Sequence, residues 1–569
     1  MNISEYELVK AHDSRSAIER LYIEMRHLFN RGWYRQLGAS GDVLAEALKT
    51  LSPEIYGSMN DANKVELDGL VYVIDRLPKG IEECHFVKLI SEEGFSDSGF
   101  SVLIPAKRRR NCYRIDQDRM YVEVTRGRSE IYDILTHLTF LYLESDKIAR
   151  HALDDDGQYI PEWLNLERIV KGDVEVHHNN REVALTYLSV LLGRSFKETL
   201  LAYKRLQSSP ETNTGLFNIV YHLGKKSLEE KHQANQRTIT FSPTLRDRIG
   251  HHMYGERWAN QIKTTLLEKA LFDRPLHIIS ANLHSVLNAL CGYPALQHRL
   301  GKEITIEELA IELSKPENQS LRNLVEEYAE ERGMIQLEDP FGTNMGVQIL
   351  DMARMDGTSL APELSAKIPD QNAPVILVMD YAFGEQAYET MDELLRPYQD
   401  GEMTLPLNVA SINIMGKAGI LQGEKGDIMV PTAHVFEGTA DNYPIQNDFT
   451  SSDFQDEAKF VCAGPMITVL GTSLQNRDVL AYFKHSSWQA IGLEMEGAHY
   501  QKAIQAATHI RGHISREVIV RFAYYASDNP LITGNTLASG SLGMVGVKPT
   551  YLITRKILQR ILCPETVIV

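Results

Sequence analysis

Five apolar residues in a row, Val375-Ile376-Leu377-Val378-Met379, follow directly on Pro374. A run this short, with no polar alternation, fits a strand covered on both faces, the kind from which parallel sheets are built. Such a strand cannot stand alone, because each face needs another layer packed against it. The downstream sequence supplies those layers. Helical patterns are expected over Gln386–Arg396, Asp478–Lys484, Glu496–Arg511 and Thr554–Leu562. Strands are expected near Val409–Met415, Asp427–Val430, Met466–Leu470, Ala490–Leu493 and Val518–Tyr524. The alternation predicts an α/β domain whose mixed, largely parallel sheet is flanked by helices on both faces.

The residues upstream have a different texture. Ala184–Leu206 carries apolar residues at helical spacing and Ser129–Ala152 is amphipathic. Thr305-Ile306-Glu307-Glu308 reads as a capping box opening a helical stretch that Pro316 divides and Gly333 ends. A small β element is expected where Phe100–Pro105 and Tyr121–Val124 flank Lys107-Arg108-Arg109-Arg110, read as a hairpin loop. Prolines 362, 369 and 374, with Asp370, Gln371 and Asn372 among them, disfavour both helix and strand. The expected organisation is a mostly helical region, 1–360, serving regulation or assembly; a linker, 361–373; and an α/β domain, 374–569, that carries the chemistry.

A net charge of −17 on 569 residues argues against nucleic acid or an anionic membrane as partner. No run of 18 apolar residues is present to span a bilayer, and the N-terminus has no basic-then-apolar leader. Cys84, Cys112, Cys291, Cys462 and Cys563 are scattered, without metal-ligand or redox spacing. The expectation is a cytoplasmic protein with free, mostly buried thiols, no metal and no cofactor, acting on a small molecule. His177-His178 and His251-His252 lack carboxylate or cysteine partners at ligand spacing and read as surface or satisfied histidines.

Two carboxylates stand out. Glu496 lies in Gly492-Leu493-Glu494-Met495-Glu496-Gly497-Ala498 at the start of a helix, and Asp528 lies in Ser527-Asp528-Asn529-Pro530 at the end of a strand. About one helix-plus-strand unit separates them, which puts both at the same end of a parallel sheet. A carboxylate there can grip a sugar diol, while a second, raised in pKa by burial, can protonate a departing base. Ser527 and Asn529 are near enough in sequence to orient the Asp528 carboxyl. Each residue also has a plainer reading, Asp528 as a turn cap and Glu496 as a helix N-terminal glutamate.

The series Met415-Gly416-Lys417-Ala418-Gly419, Gly426-Asp427, Gly471-Thr472-Ser473, Met495-Glu496 and Ser527-Asp528 resembles the purine nucleoside phosphorylase/nucleosidase superfamily over roughly 374–569. Within it the chain is most similar to the AMP nucleosidases, through Ser527-Asp528-Asn529-Pro530-Leu531 and Gly426-Asp427 running to Ala433-His434. The resemblance implies an N-glycosidase of purine nucleotides or nucleosides, most simply AMP and water giving adenine and ribose 5-phosphate, in a homo-oligomer. It implies Asp528 as proton donor, and Glu496 with Met495 at the ribose. Glu494 would support them, and Thr472, Ser473 and Gln475 would lie at the base. Gly416 and Lys417 would form a glycine-rich anion turn after the strand. The superfamily's phosphorylases hold orthophosphate with an arginine before that turn. Here Asn413-Ile414-Met415 and the loop Asp380-Tyr381-Ala382-Phe383-Gly384-Glu385 have none. Water is therefore the expected nucleophile and Glu385 its activating group. A phosphate-dependent phosphorylase and a non-catalytic purine nucleotide sensor are the alternatives. The Arg108-Arg109-Arg110 run, with Arg114, Arg126 and Arg128, reads as a solvated loop or a site for a phosphate effector.

Overall fold

Val375–Met379 is a strand with every residue fully buried. Its alternate side chains feed two cores on opposite faces: Val375, Leu377 and Met379 enter one, Ile376 and Val378 the other. This is the packing that an uninterrupted apolar run requires. The computed structural model describes residues 5–232, 236–300, 304–369, 372–439, 441–533 and 542–563, and the chain falls into two compact units.

The C-terminal unit comprises His252–Thr472 with residues 480–563. Its sheet has ten strands: β1 Leu276–Ser280, β2 Ile335–Leu337, β3 Val347–Asp351, β4 Val375–Met379, β5 Val409–Ile420, β6 Ile428–Phe436, β7 Asn442–Pro444, β8 Val461–Thr468, β9 Gly492–Glu494 and β10 Ile519–Asp528. The order is β7-β6-β8-β9-β5-β1-β4-β3-β2, with β10 paired to both β5 and β6. The pairings β5-β9-β8-β6-β10-β5 therefore close on themselves. Five strands form a closed circuit, and β1, β4, β3 and β2 extend from it as an open flank. β1, β4, β5 and β10 run parallel, whereas β9 opposes β5 and β3 opposes β4. The mixed sheet agrees with expectation; its closure was not anticipated.

The expected boundary at 361–373 is corrected. β1, β2 and β3 lie before it yet belong to this sheet, with β1 hydrogen-bonded to both β4 and β5. Leu360, Ala361 and Leu364 are core residues of the same unit rather than parts of a linker; Asp370 and Gln371 lie outside the described residues. The division instead falls at His251/His252. Thr305 does cap a helix with Glu308 reciprocating, and Pro316 does separate Ile306–Leu313 from Gln319–Glu331.

The N-terminal unit comprises residues 5–251 together with Ser473–Val479. Nine helices among the described residues surround a six-stranded sheet in the order Trp33–Arg35, Thr238–Phe241, Phe86–Ile90, Arg119–Glu123, Cys112–Arg114, Val102–Leu103. The β element is thus larger than expected. Val102–Leu103 pairs with Cys112–Arg114, not with the strand at 119–123. The helix expected over Ala184–Leu206 is two, because Gly193 ends the first at φ 60° and Ser195 caps the second. The arginine run is only partly solvated: Arg109 is exposed, but its two neighbours are not. Both Nε and Nη2 of Arg108 donate to Asp133 at 2.9 Å, and buried Arg110 reaches Asp133 at 3.0 Å and Glu130 at 3.2 Å. The five cysteines are free, all but Cys563 buried. No described helix is long and apolar enough to cross a membrane.

Candidate active site

Parallel strands deliver their ends to one place. Ser280 closes β1, Tyr381 and Ala382 follow β4, Ile414–Lys417 belong to β5, and Tyr524 and Tyr525 to β10. With Thr472, Glu494, Met495, Glu496 and Tyr500 they line a cavity of about 240 Å³ in the C-terminal unit. The position agrees with the rule that open α/β folds hold ligands beyond the carboxyl ends of their strands. Four tyrosines, two methionines and Ile414 make most of its wall, and the charged lining residues are Lys417, Glu494 and Glu496.

The two glutamates have distinct settings. Buried Glu494 accepts from Thr468 Oγ1 at 2.5 Å, from Glu496 N at 2.5 Å and from Gly497 N. Its oxygens are thereby committed to the first turn of the helix Gly497–Gln505, and burial pushes it up to about 7 against those donors. Glu496 Oε1 accepts from Gly384 N at 2.9 Å. Gly384 holds φ 57°, a left-handed conformation suited to glycine, at the entry to the helix Gln386–Leu394. Burial first, then the Glu494 charge, push Glu496 up to about 8, while Gly384, Met495 and Lys417 pull the other way.

Glycine at 497 is dictated by close approach. A Cβ there would collide with Nε2 and Cδ2 of His434 and lie 2.8 Å from Glu494 Oε1. His434 is fully buried, faces the Tyr524 hydroxyl at 3.2 Å, and is pushed down to about 3 by burial, so its ring is neutral. Asp427 accepts from Glu424 N at 2.7 Å, and Gly426 and Asp427 exchange backbone hydrogen bonds with Ala526. The pair braces the strand that leads to Asp528.

Asp528 terminates β10, opposite Gly419 of β5. Ser527 Oγ donates to its Oδ1 at 2.5 Å and also to Ala418 O at 3.1 Å. Oδ2 is buried with no hydrogen-bond partner among the described residues. Burial raises the Asp528 pKa, against the Ser527 hydrogen bond and the charges of Lys417 and Lys425. Asp528 is not itself a lining residue. Lys417, which is, acts electrostatically on both Asp528 and Glu496. Asn529 Nδ2 donates to Gly423 O at 3.0 Å and its Oδ1 accepts from Leu531 N, which anchors the backbone after the acid.

Of the expected site residues, Glu496, Met495, Glu494, Gly416, Lys417 and Thr472 are brought together around the cavity. Ser473 and Gln475 belong to the N-terminal unit, where Gln475 O accepts from Glu54 N at 3.0 Å. Glu385 precedes its helix as the N-terminal flanking residue and is not among the lining residues. The glycine-rich turn is corrected: Gly416–Gly419 runs inside the twelve-residue strand β5, paired to β10, with a register shift only between Ala418 and Gly419. Sequence reading missed the four tyrosines and the grip of Gly384 on Glu496. Tyr524-Tyr525 in a strand and Tyr381 directly after one carried a signal for the former; nothing local carried the latter.

A family model described as a family of unknown function, DUF6909, matches residues 42–304 and 311–563. No curated protein matches the sequence. Among solved structures, a 5'-methylthioadenosine/S-adenosyl homocysteine nucleosidase from Campylobacter jejuni is 12% identical over 50% of this chain and 97% of its own, with a TM-score of 0.29. A futalosine hydrolase mutant from Helicobacter pylori is 11% identical over 51% of this chain and 98% of its own, TM-score 0.29. An AMP nucleosidase from Bacteroides thetaiotaomicron is 13% identical over 54% and 97%, TM-score 0.29. Overlap at this level is too loose to carry chemistry across.

Proposed function

The chain belongs to the DUF6909 family of unknown function, and from its cavity we propose that it hydrolyses the N-glycosidic bond of a purine nucleoside or nucleotide. The observation that carries the proposal is Asp528: a buried carboxyl with Oδ1 held by Ser527 and Oδ2 without a partner among the described residues, raised in pKa, beside a cavity walled by Glu496. Burial that raises a carboxyl's pKa strengthens its hold on a proton, the direction a proton donor needs.

In the reaction, the bond from C1′ to the purine nitrogen breaks and its electron pair leaves with the base. Asp528 gives its proton to the base at N7, so that the leaving group is neutral. Glu496 meets the ribose 2′- and 3′-hydroxyls with its carboxyl group while its Oε1 stays anchored by Gly384, and Met495 packs on the sugar. Water adds to C1′ and surrenders a proton to a carboxylate of the loop after β4, for which Glu385 is the proposed acceptor. The tyrosine and methionine walls suit a flat aromatic base.

Hydrolysis is favoured over phosphorolysis because the described residues lining the cavity include no arginine to hold orthophosphate. Incubation of the purified protein with nucleosides and their monophosphates in phosphate-free buffer, with chromatographic detection of free base, tests the reading. Base release that requires added orthophosphate overturns hydrolysis; absence of base release with any purine substrate overturns the function.

A further inference from the structure

We propose that Tyr524 donates its hydroxyl hydrogen to a ribose hydroxyl of the bound nucleoside, and that His434 is the positioning residue that turns this hydrogen toward the cavity. The inference rests on the glycosidase reading above and adds a substrate contact, with its support, to the same site.

Tyr524 Oη and His434 Nε2 face each other at 3.2 Å. Either atom could donate, and the choice fixes where the phenol hydrogen goes. His434 is fully buried and pushed down to about 3 by burial, so its ring is neutral and carries a single N–H. Its other nitrogen, Nδ1, is buried without a hydrogen-bond partner among the described residues. Were the phenol to donate to Nε2, the ring hydrogen would sit on Nδ1 as a buried donor with no acceptor, an arrangement folded proteins rarely keep. With the hydrogen on Nε2, only a lone pair is left at Nδ1. The separation agrees, since N–H donors lie about 2.7–3.2 Å from oxygen and hydroxyl donors about 2.5–3.0 Å. His434 therefore donates and Tyr524 accepts. The ring is also held in place. A Cβ at Gly497 would collide with Nε2 and Cδ2, so that edge is wedged against the start of the helix Gly497–Gln505.

The phenol hydrogen is then available to a ligand. Tyr524 lines the cavity, no other described residue hydrogen-bonds its hydroxyl, and the charges acting on it are those of Glu494 and Glu496. Glu494 is committed to Thr468 and to the helix start, which leaves Glu496 as the carboxyl that faces the sugar. A ribose hydroxyl between Tyr524 and Glu496 can accept from the first and donate to the second. His434 N–H, Tyr524 O–H, sugar O–H and the Glu496 carboxyl then form one chain with every donor pointing the same way, an alignment that strengthens each bond. No proton changes owner along it; the chain places the sugar.

The test reads the tautomer and the sugar contact separately, on the full chain. With nitrogen-15-labelled histidine, NMR identifies His434 as the ring that does not titrate near neutral pH and that shifts in Tyr524→Phe; its hydrogen is expected on Nε2. A hydrogen on Nδ1 overturns the proposal. Binding of adenosine, 2′-deoxyadenosine and 3′-deoxyadenosine is measured by calorimetry with Asp528→Asn alone and combined with Tyr524→Phe. Loss of the phenol is expected to weaken adenosine by about 5- to 10-fold, the scale of one hydrogen bond, and the deoxynucleoside lacking the partner hydroxyl by less than about 2-fold. Equal weakening of all three, as a merely structural role would give, or weakening of none, overturns the contact. If the expected pattern appears while the parent protein releases no base, the contact stands and the hydrolytic reading fails. If none of the three binds, both fail.

Discussion

Ser527 Oγ donates to Asp528 Oδ1 at 2.5 Å, while Oδ2 of the same carboxyl is buried without a hydrogen-bond partner among the described residues. The serine's second bond, to Ala418 O at 3.1 Å, fixes its hydroxyl against β5. A carboxyl oriented in this way can act only toward one side. Asp528→Asn keeps the shape and removes the transferable proton. It is expected to lower kcat by about 100- to 10,000-fold while nucleoside binding persists. Rapid-quench assay of base release together with calorimetric binding checks both halves, and undiminished turnover removes the proton-donor assignment.

Glu496 is expected to be read in the sugar. Replacing it with glutamine keeps one acceptor oxygen but turns the other into an amide NH2, which cannot accept from a sugar hydroxyl. For Glu496→Gln, kcat/KM with ribonucleosides should fall about 10- to 100-fold, and the preference over 2′-deoxynucleosides should collapse. Comparison of the two sugar series in parent and variant decides it. A parent protein that uses both sugars equally contradicts the role.

The same residue predicts a pH dependence of stability. Its pKa moves from an ordinary 4.5 in the unfolded chain to about 8 in the fold. Between those values the folded state binds more protons than the unfolded state, so stability falls as pH rises through the window. Thermal unfolding of Glu496→Gln should therefore lose less midpoint temperature than the parent between pH 4.5 and pH 8. Parallel curves for the two proteins would falsify the raised carboxyl. Glu494 titrates in the same range and is coupled to Glu496, so part of the parent's pH dependence remains in the variant.

Gly497→Ala tests the packing behind the carboxylates. The new methyl would press on His434 and on Glu494 Oε1, and the collision is with a fully buried ring. Overpacking of this kind costs about 1–3 kcal/mol. A lowered denaturant midpoint at constant slope is expected, with weakened nucleoside binding because Glu494 is displaced from the helix start. A variant as stable as the parent would mean that His434 can move aside.

The parts legible in the sequence are those written in local pattern. Val375–Met379 announced a doubly covered strand because five apolar residues need two apolar faces. Thr305 and Pro316 marked helix ends by capping and by a missing amide. Glu496 and Asp528 were recognisable because a short motif fixes each at an element boundary. Long-range pairing was not legible: β1 sits among helices in sequence, and only its hydrogen bonds to β4 and β5 reveal that the α/β unit starts a hundred residues early. Gly416 and Gly419 suggested a turn because glycine is usually read for its freedom. Here Gly416 is an extended strand residue, and a Cβ there would stand in ordinary contact with Tyr381 Cε1 at 3.7 Å and Tyr524 Cδ1 at 3.9 Å. Ser473 and Gln475 lay near the right loop in sequence, yet their contacts are with residues such as Glu54, far away along the chain.

Ile414–Lys417, which line the cavity, lie on β5 beside β10 and just before Gly419 and Ile420, where β9 joins the five-stranded circuit. β10 pairs with the whole of that segment, so the amides that face it should exchange slowly with deuterated solvent. A seat so stiff cannot be remoulded by backbone breathing. Descendants of this chain that acquire a new ligand would have to do so by exchanging side chains on an unmoving frame.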